Sequence, residues 1–275
     1  MQTLTFWKNV ANRGRNMIFR DKELSPGAGA SPVSEMIPSL AMLCDPQVAF
    51  QFFEDFLGMP MDDTTANPTT WKYSSDTATG GVTLPSGVVG GVINVACGGT
   101  DNNETYIQLG PLGTMEPFKI LDASDHPLWF ECRAKALEHA DEGVFIGLAE
   151  AGCAAANFLA DNTGAVADKD FIGFNILAAT PEAWNTTWKK AGQTVATNAG
   201  EAGVNADDWH VFGFYFDGES TVTFFADGVA CTTTATTSAA TFPSGEELGP
   251  IVAVKTGEAV AKNVQVDYIR VVQAR

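Results

Sequence analysis

The sequence predicts an all-β sandwich, and three observations carry that expectation. Aromatic residues, Thr, Val, Gly and Ala are abundant while long Leu-, Glu- and Lys-rich stretches at helical period are missing, which favours strands over helices. Beyond Trp71 the chain is a succession of short apolar or alternating segments separated by Gly, Asp, Asn and Pro, the pattern of strands and turns. Two Asp-Gly dipeptides, Asp217-Gly218 and Asp227-Gly228, bracket Thr221 to Ala226, and Asp-Gly favours tight hairpin turns that need positive φ.

Taken in order, the predicted strands are Gly91 to Cys97, Thr105 to Leu109, Leu128 to Ala136, Val144 to Ala149, Phe171 to Leu177, Trp209 to Phe216, Thr221 to Ala226, Pro250 to Lys255 and Val264 to Val272. Successive side chains alternate across a strand. In Leu128 to Ala136 that places Phe130, Cys132 and Ala134 on a core face and Glu131, Arg133 and Lys135 on a wet one. His210 to Phe216 is apolar on both faces, as expected of a strand deep in a layered fold. Residues 209 to 235 therefore read as a meander. The threonine-rich run Thr232 to Thr241 reads as an edge strand and loop. Between Asp45 and Gly58 two readings stand. Asp45-Pro46 with Val48, Ala49, Phe52, Phe53, Phe56 and Leu57 fits a capped short helix, and Phe52 to Phe56 also fits a strand.

A chain of 275 residues is long enough for one large sandwich with an appendage. Residues 1–45 form the predicted appendage: a basic cluster followed by Ser25-Pro-Gly-Ala-Gly-Ala-Ser-Pro32, which reads as an arm and linker. The sandwich is expected over residues 46–275. Charge divides along the same boundary. Residues 1–23 carry a local +3, so that a chain of net −17 leaves −20 for the remainder. A body so acidic repels nucleic acid and anionic membranes. No apolar window is long enough to span a membrane, and no basic start leads into an apolar run with a cleavage site, so neither a span nor a signal is expected. The five cysteines, Cys44, Cys97, Cys132, Cys153 and Cys231, show no C-x-x-C spacing, which suits buried, reduced thiols made in a cytoplasm.

Phe53-Glu-Asp-Phe-Leu-Gly58 followed by Trp71 resembles the opening of concanavalin A-like jelly rolls of the laminarinase and LamG type. Val266-Asp-Tyr-Ile-Arg-Val271 resembles their closing strand, and the two Phe-rich segments that end in Asp217-Gly218 and Asp227-Gly228 resemble their central hairpin. The resemblance covers residues 50–273 and implies two antiparallel sheets, with the strand reading favoured at 52–56. It does not bring the family's hydrolysis with it. Such enzymes set two or three carboxylates on one face of one strand, because a retaining mechanism needs nucleophile and acid about 5 Å apart. Here Glu131 shares its face with Arg133 and Lys135, Asp267 has no acidic neighbour two residues away, and Asp168 and Asp170 sit at a turn. His126, His139 and His210 fall in no nucleophile or metal motif. No catalytic residue, metal or cofactor is therefore expected; Asp101 to Glu104 and Asp161-Asn162 read as turns.

An acidic jelly roll without a signal and with a basic arm also resembles auxiliary head and related structural proteins of tailed bacteriophages. That resemblance implies a non-enzymatic virion protein, made in the host cytoplasm, that decorates or cements a capsid as a homo-oligomer, with trimers common in that role. Lys8, Arg13, Arg15 and Arg20 would pair with acidic groups on the major capsid protein or another virion protein. The alternative is a carbohydrate-binding module or adhesin, in which Trp184 and Trp188, flanking Asn185-Thr-Thr187, supply an aromatic platform for a glycan. Spaced at four, these two are read as not sharing a simple strand face, which favours core or interface packing. The third reading is a divergent polysaccharide hydrolase or lyase.

Overall fold

Alternation within the longest segments organises the structure. In Leu128–Ala136 the side chains of Phe130, Cys132 and Ala134 are buried in the main core, and Arg133 and Lys135 lie half-buried on the opposite face. The computed structural model describes residues 45–58, 61–62, 70–76, 79–88, 90–137, 141–155, 158–159, 167–177, 180–203 and 208–275. In chain order the strands are β1 (Ala49–Glu54), β2 (Met61–Asp62), β3 (Trp71–Ser75), β4 (Gly81–Thr83), β5 (Ile93–Ala96), β6 (Glu104–Leu109), β7 (Phe118–Lys119), β8 (Leu128–Ala136) and β9 (Glu142–Ala149). They continue with β10 (Phe171–Leu177), β11 (Thr180–Lys189), β12 (Ala196–Gly203), β13 (His210–Phe216), β14 (Thr221–Ala226), β15 (Val229–Thr236), β16 (Glu247–Thr256) and β17 (Asn263–Ala274).

These strands make a jelly-roll sandwich. The first sheet runs β15-β14-β13-β8-β17-β5-β4, with β1 also on β17; the second runs β12-β11-β10-β9-β16-β6-β3-β2, with β7 also on β16. All pairs are antiparallel except the two-residue β2 beside β3. Between the sheets lies one core, with Phe130 stacked on Phe214 at 4.9 Å and Phe174 edge-on to Phe224 at 5.7 Å. Offset-stacked and edge-to-face pairs of this kind add to the stabilisation that burial alone supplies.

The open choice at Asp45 to Gly58 is settled by pairing. Residues 46–48 form a turn and Ala49–Glu54 is a strand, registered Ala49 to Ala274 through Glu54 to Ile269. The meander forms as expected from β13, β14 and β15, with β15 at the sheet edge. Its two Asp-Gly turns differ from each other. Asp227 and Gly228 both have positive φ, 47° and 85°, the signature of a two-residue I′ hairpin. Only Gly218 does so in the other turn, φ 86°. There the Asp217 carboxylate accepts from the backbone N–H groups of Glu219, Ser220 and Thr221, an Asx turn. Burial opposes ionisation of Asp217, but these donors outweigh it and hold its pKa below the usual carboxylate value.

Cys97, Cys132 and Cys153 are buried free thiols and Cys231 is half-buried. Burial pushes Cys97 up to about 11, Cys153 to about 12 and Cys132 well above its ordinary value. None of these three is a ready nucleophile. Cys44 lies outside the described residues, as do the arm cations Lys8, Arg13, Arg15 and Arg20. No helix among the described residues is long and apolar enough to cross a membrane.

Candidate functional site

The outer face of the second sheet, turned away from the main core, is where alternation puts Tyr106, Phe145, Phe171, Ile251 and Ala253. It is filled with apolar side chains. Phe158 lies edge-on to Phe145 at 5.1 Å and to Phe171 at 5.9 Å, and Leu159 joins them. The carboxylate of Glu104 on this face meets Lys255 Nζ at 3.2 Å, with both residues buried. Burial raises the Glu104 pKa, against the lowering effect of Tyr106 and Lys255. No described strand carries two carboxylates, so the paired acid and nucleophile of a retaining glycosidase have no strand here that supplies both.

Two carboxyl groups do meet beyond the ends of β9 and β10. Glu150 N–H donates to the Asp170 carbonyl at 2.9 Å, which sets their side chains together. Burial pushes the Asp170 pKa up to about 6; the Ala191 N–H opposes that, and the Glu150 carboxyl adds to it. Lys169 neutralises Glu150 at 2.6 Å. Asp168 is exposed and paired with Lys189 at 3.0 Å.

The outer face of the first sheet differs in chemistry. Arg133 and Lys135 project from β8 beside the half-buried Trp209 ring, with the guanidinium carbon 4.5 Å and the ammonium 5.4 Å from its centroid. Arg133 Nη1 also donates to Asp267 Oδ2 at 2.5 Å. One strand further on, the Tyr268 hydroxyl donates to Glu131 Oε1 at 2.6 Å. Burial raises the Tyr268 pKa and the Glu131 charge adds to the effect, so the hydroxyl stays protonated as a donor. Phe53, 58 % exposed, lies 6.3 Å from the Tyr268 ring. From Trp209 beside β13, across β8 and β17 to β1, the patch spans roughly 14 Å, three strand spacings. It combines two accessible aromatic surfaces with fixed charged donors and acceptors, the composition with which proteins hold polar ring-shaped ligands.

The residues singled out from sequence lie elsewhere. Trp184 and Trp188 do share a face, contrary to the expectation, because positions four apart in a strand point the same way. That face is the inward one: Trp184 is fully buried at 4.5 Å from Phe212, and Trp188, 8 % exposed, stacks on Phe224 at 5.7 Å. Neither ring offers a surface to a sugar. His210 is buried at the start of β13, and its Nδ1 lies 2.6 Å from Asp227 Oδ2. His126 is exposed, and His139 lies outside the described residues. Asn103 Oδ1 accepts from Thr100 N–H and Asn102 has φ 71°, a turn geometry; Asp161-Asn162 lies outside the described residues. No group of three or more potential metal ligands occurs among the described residues. Trp209 and Phe53 were missed as a pair. Their partners Arg133 and Tyr268 are remote in sequence, and only strand register brings them together.

No protein-family model and no curated protein matches the chain. Solved structures do match. A non-specific endo-β-1,3(4)-glucanase of family GH16, SCLam, is 13% identical with TM-score 0.55, covering 82% of this chain and 92% of its own. The laminarinase of Flavobacterium sp. UMI-01 is 13% identical with TM-score 0.52, covering 80% and 98%. The β-glucanase of Bacillus licheniformis is 10% identical with TM-score 0.51, covering 80% and 96%. At such identities the likeness is one of fold, which is the concanavalin A-like jelly roll that the sequence motifs resemble. These neighbours lend nothing to the virion role expected from the charge division and the arm.

Proposed function

We propose that this protein is a non-catalytic carbohydrate-binding jelly roll whose site is the Trp209 patch on the outer face of the first sheet. The observation that carries the reading is the Trp209 ring held against Arg133 and Lys135, with the Arg133–Asp267 and Tyr268–Glu131 pairs alongside. A half-buried indole presents an apolar surface to the C–H face of a sugar, and fixed charges beside it reach hydroxyl or carboxylate groups at the ring edge. Three cations, Arg133, Lys135 and Arg270, lie on this face of a strongly acidic body. Such a site favours polysaccharides that carry anionic groups.

The absence of a carboxylate pair on any described strand supports binding without hydrolysis. Affinity electrophoresis through laminarin and alginate, with an assay for new reducing or unsaturated ends, tests this. Retarded migration without product formation, lost in Trp209→Ala, is the expected result. Product formation would favour the hydrolase or lyase reading, and unretarded migration in both gels would remove the binding one.

A further inference from the structure

The Trp209 patch has a second aromatic platform, and the ground between the two is polar. Register aligns it. Phe53 on β1 pairs with Arg270 on β17, which pairs with Glu131 on β8, and in the next row along the same face Tyr268 pairs with Arg133. The Phe53 ring is exposed and stands at the margin of the sheet, because β17 is the strand that β1 pairs with and no other described strand flanks it. Between this ring and Trp209 lie two side-chain pairs that hold each other in place: the Tyr268 hydroxyl donates to Glu131 at 2.6 Å, and Arg133 donates to Asp267 at 2.5 Å. Side chains fixed in this way lose little rotamer freedom when a ligand arrives. Beside Trp209, Asp208 is exposed, as are Asp227 to Ala230 of the β14–β15 hairpin. Among the described residues, the row is open at both ends.

Resting on the glycan reading above, we infer that the site takes an internal stretch of a linear polysaccharide, about four sugar units long and laid across the strands, with Trp209 and Phe53 as its end platforms. The platforms stand three strand spacings apart, roughly 14 Å, and one unit of an extended sugar chain advances by about one such spacing. Three steps therefore separate the unit over Trp209 from the unit over Phe53. Each end ring offers an apolar surface to the C–H face of a sugar, and the units between them lie over the Tyr268–Glu131 and Arg133–Asp267 pairs, which meet their hydroxyl groups. A single sugar fills one platform and forgoes the other. A longer chain gains the second contact without losing translational freedom a second time, so affinity follows length until both platforms are covered.

Calorimetric titration of the full chain with oligouronates prepared from alginate, from the monomer upward, tests the span. Affinity should rise with each added unit up to about four and then level off. Phe53→Ala should flatten the series beyond the dimer, lowering affinity for the tetramer by about three- to tenfold. Phe53 is 58 % exposed, so this variant leaves the core intact, and its thermal midpoint should stay near wild type. A hexamer whose terminal ring has been opened by borohydride reduction should bind as well as the intact one, because the site reads the interior of the chain. Binding that does not change with length, a series unaltered in Phe53→Ala, or binding lost on reduction would each overturn the inference while leaving a glycan site in place. Failure of the wild type to bind any oligomer or alginate itself would remove the glycan reading and this inference with it.

Discussion

Arg133 bridges Trp209 and Asp267: its guanidinium carbon lies 4.5 Å from the indole centroid while Nη1 reaches the Asp267 carboxylate at 2.5 Å. The carboxylate orients the planar cation and the indole gives it a surface to stack on, so neither the ring nor the charge is free to collapse onto the sheet. Replacing Arg133 by Lys keeps the charge and loses the planar fork. Arg133→Lys is therefore expected to weaken binding of an anionic polysaccharide more than of a neutral one, with a thermal midpoint close to wild type. Equal weakening on both ligands would mean that Arg133 supports only the ring. Rising salt should also release the anionic ligand first.

The Glu150–Asp170 pair predicts a pH dependence of stability. Burial and the neighbouring carboxyl raise the folded Asp170 pKa to about 6, above its ordinary 3.8. A raised pKa means that the folded state holds the proton more tightly, so this contribution is fully present below about pH 4 and is lost as pH rises through 6. Asp170→Asn, which keeps an oxygen to accept from Ala191 N–H, should stabilise the protein at pH 7.5 by on the order of 2 kcal/mol and change little at pH 4. Urea unfolding at the two pH values measures it. A stabilisation equal at both would show that Asp170 is ionised throughout.

The buried Glu104–Lys255 pair, 3.2 Å apart, should be costly to break from one side. Lys255→Met strands a buried carboxylate and is expected to destabilise by about 3–5 kcal/mol at pH 7.5, whereas Glu104→Gln with Lys255→Met should recover a large part of that. Denaturant midpoints of the three proteins decide it; single and double variants of equal stability would mean that solvent reaches the pair.

Gly147 and Gly173 face each other across β9 and β10. A Cβ on Gly147 would lie 2.3 Å from the Ile172 carbonyl oxygen and 2.7 Å from Gly173 Cα, and backbone cannot yield as a side chain end can. Gly147→Ala should cost about 1–3 kcal/mol or more. Gly58→Ala, where nothing lies within 4 Å, is the control and should melt near wild type. Similar melting of both variants would contradict the close approach of these strands.

Much of the architecture was legible because local pattern and tertiary burial agree. The predicted segments Leu128 to Ala136, Phe171 to Leu177 and Thr221 to Ala226 coincide with β8, β10 and β14, each having an apolar core face and turn residues at its ends. The strands β11 and β12 were not legible. Thr180–Lys189 mixes Pro181, Glu182 and Asn185 into the run, and Ala196–Gly203 is mostly Ala, Gly and polar residues, so pairing of β11 with β10 and of β12 with β11 makes them strands and intrinsic preference does not. The Trp209 patch was illegible for a related reason. Arg133 pairs in register with Val211 on one side and Tyr268 on the other, and register between strands so far apart in the chain cannot be read from composition or spacing.

The most direct measurement is a binding isotherm on an anionic polysaccharide for the wild-type chain and for Trp209→Ala, each first shown to be folded by its thermal midpoint. A glycan site at Trp209 predicts saturable binding by the wild type and an affinity at least about tenfold lower, or ~1.4 kcal/mol, for the variant. Equal affinities, or wild-type binding undiminished by Trp209→Ala but lost on opening another face, would contradict it.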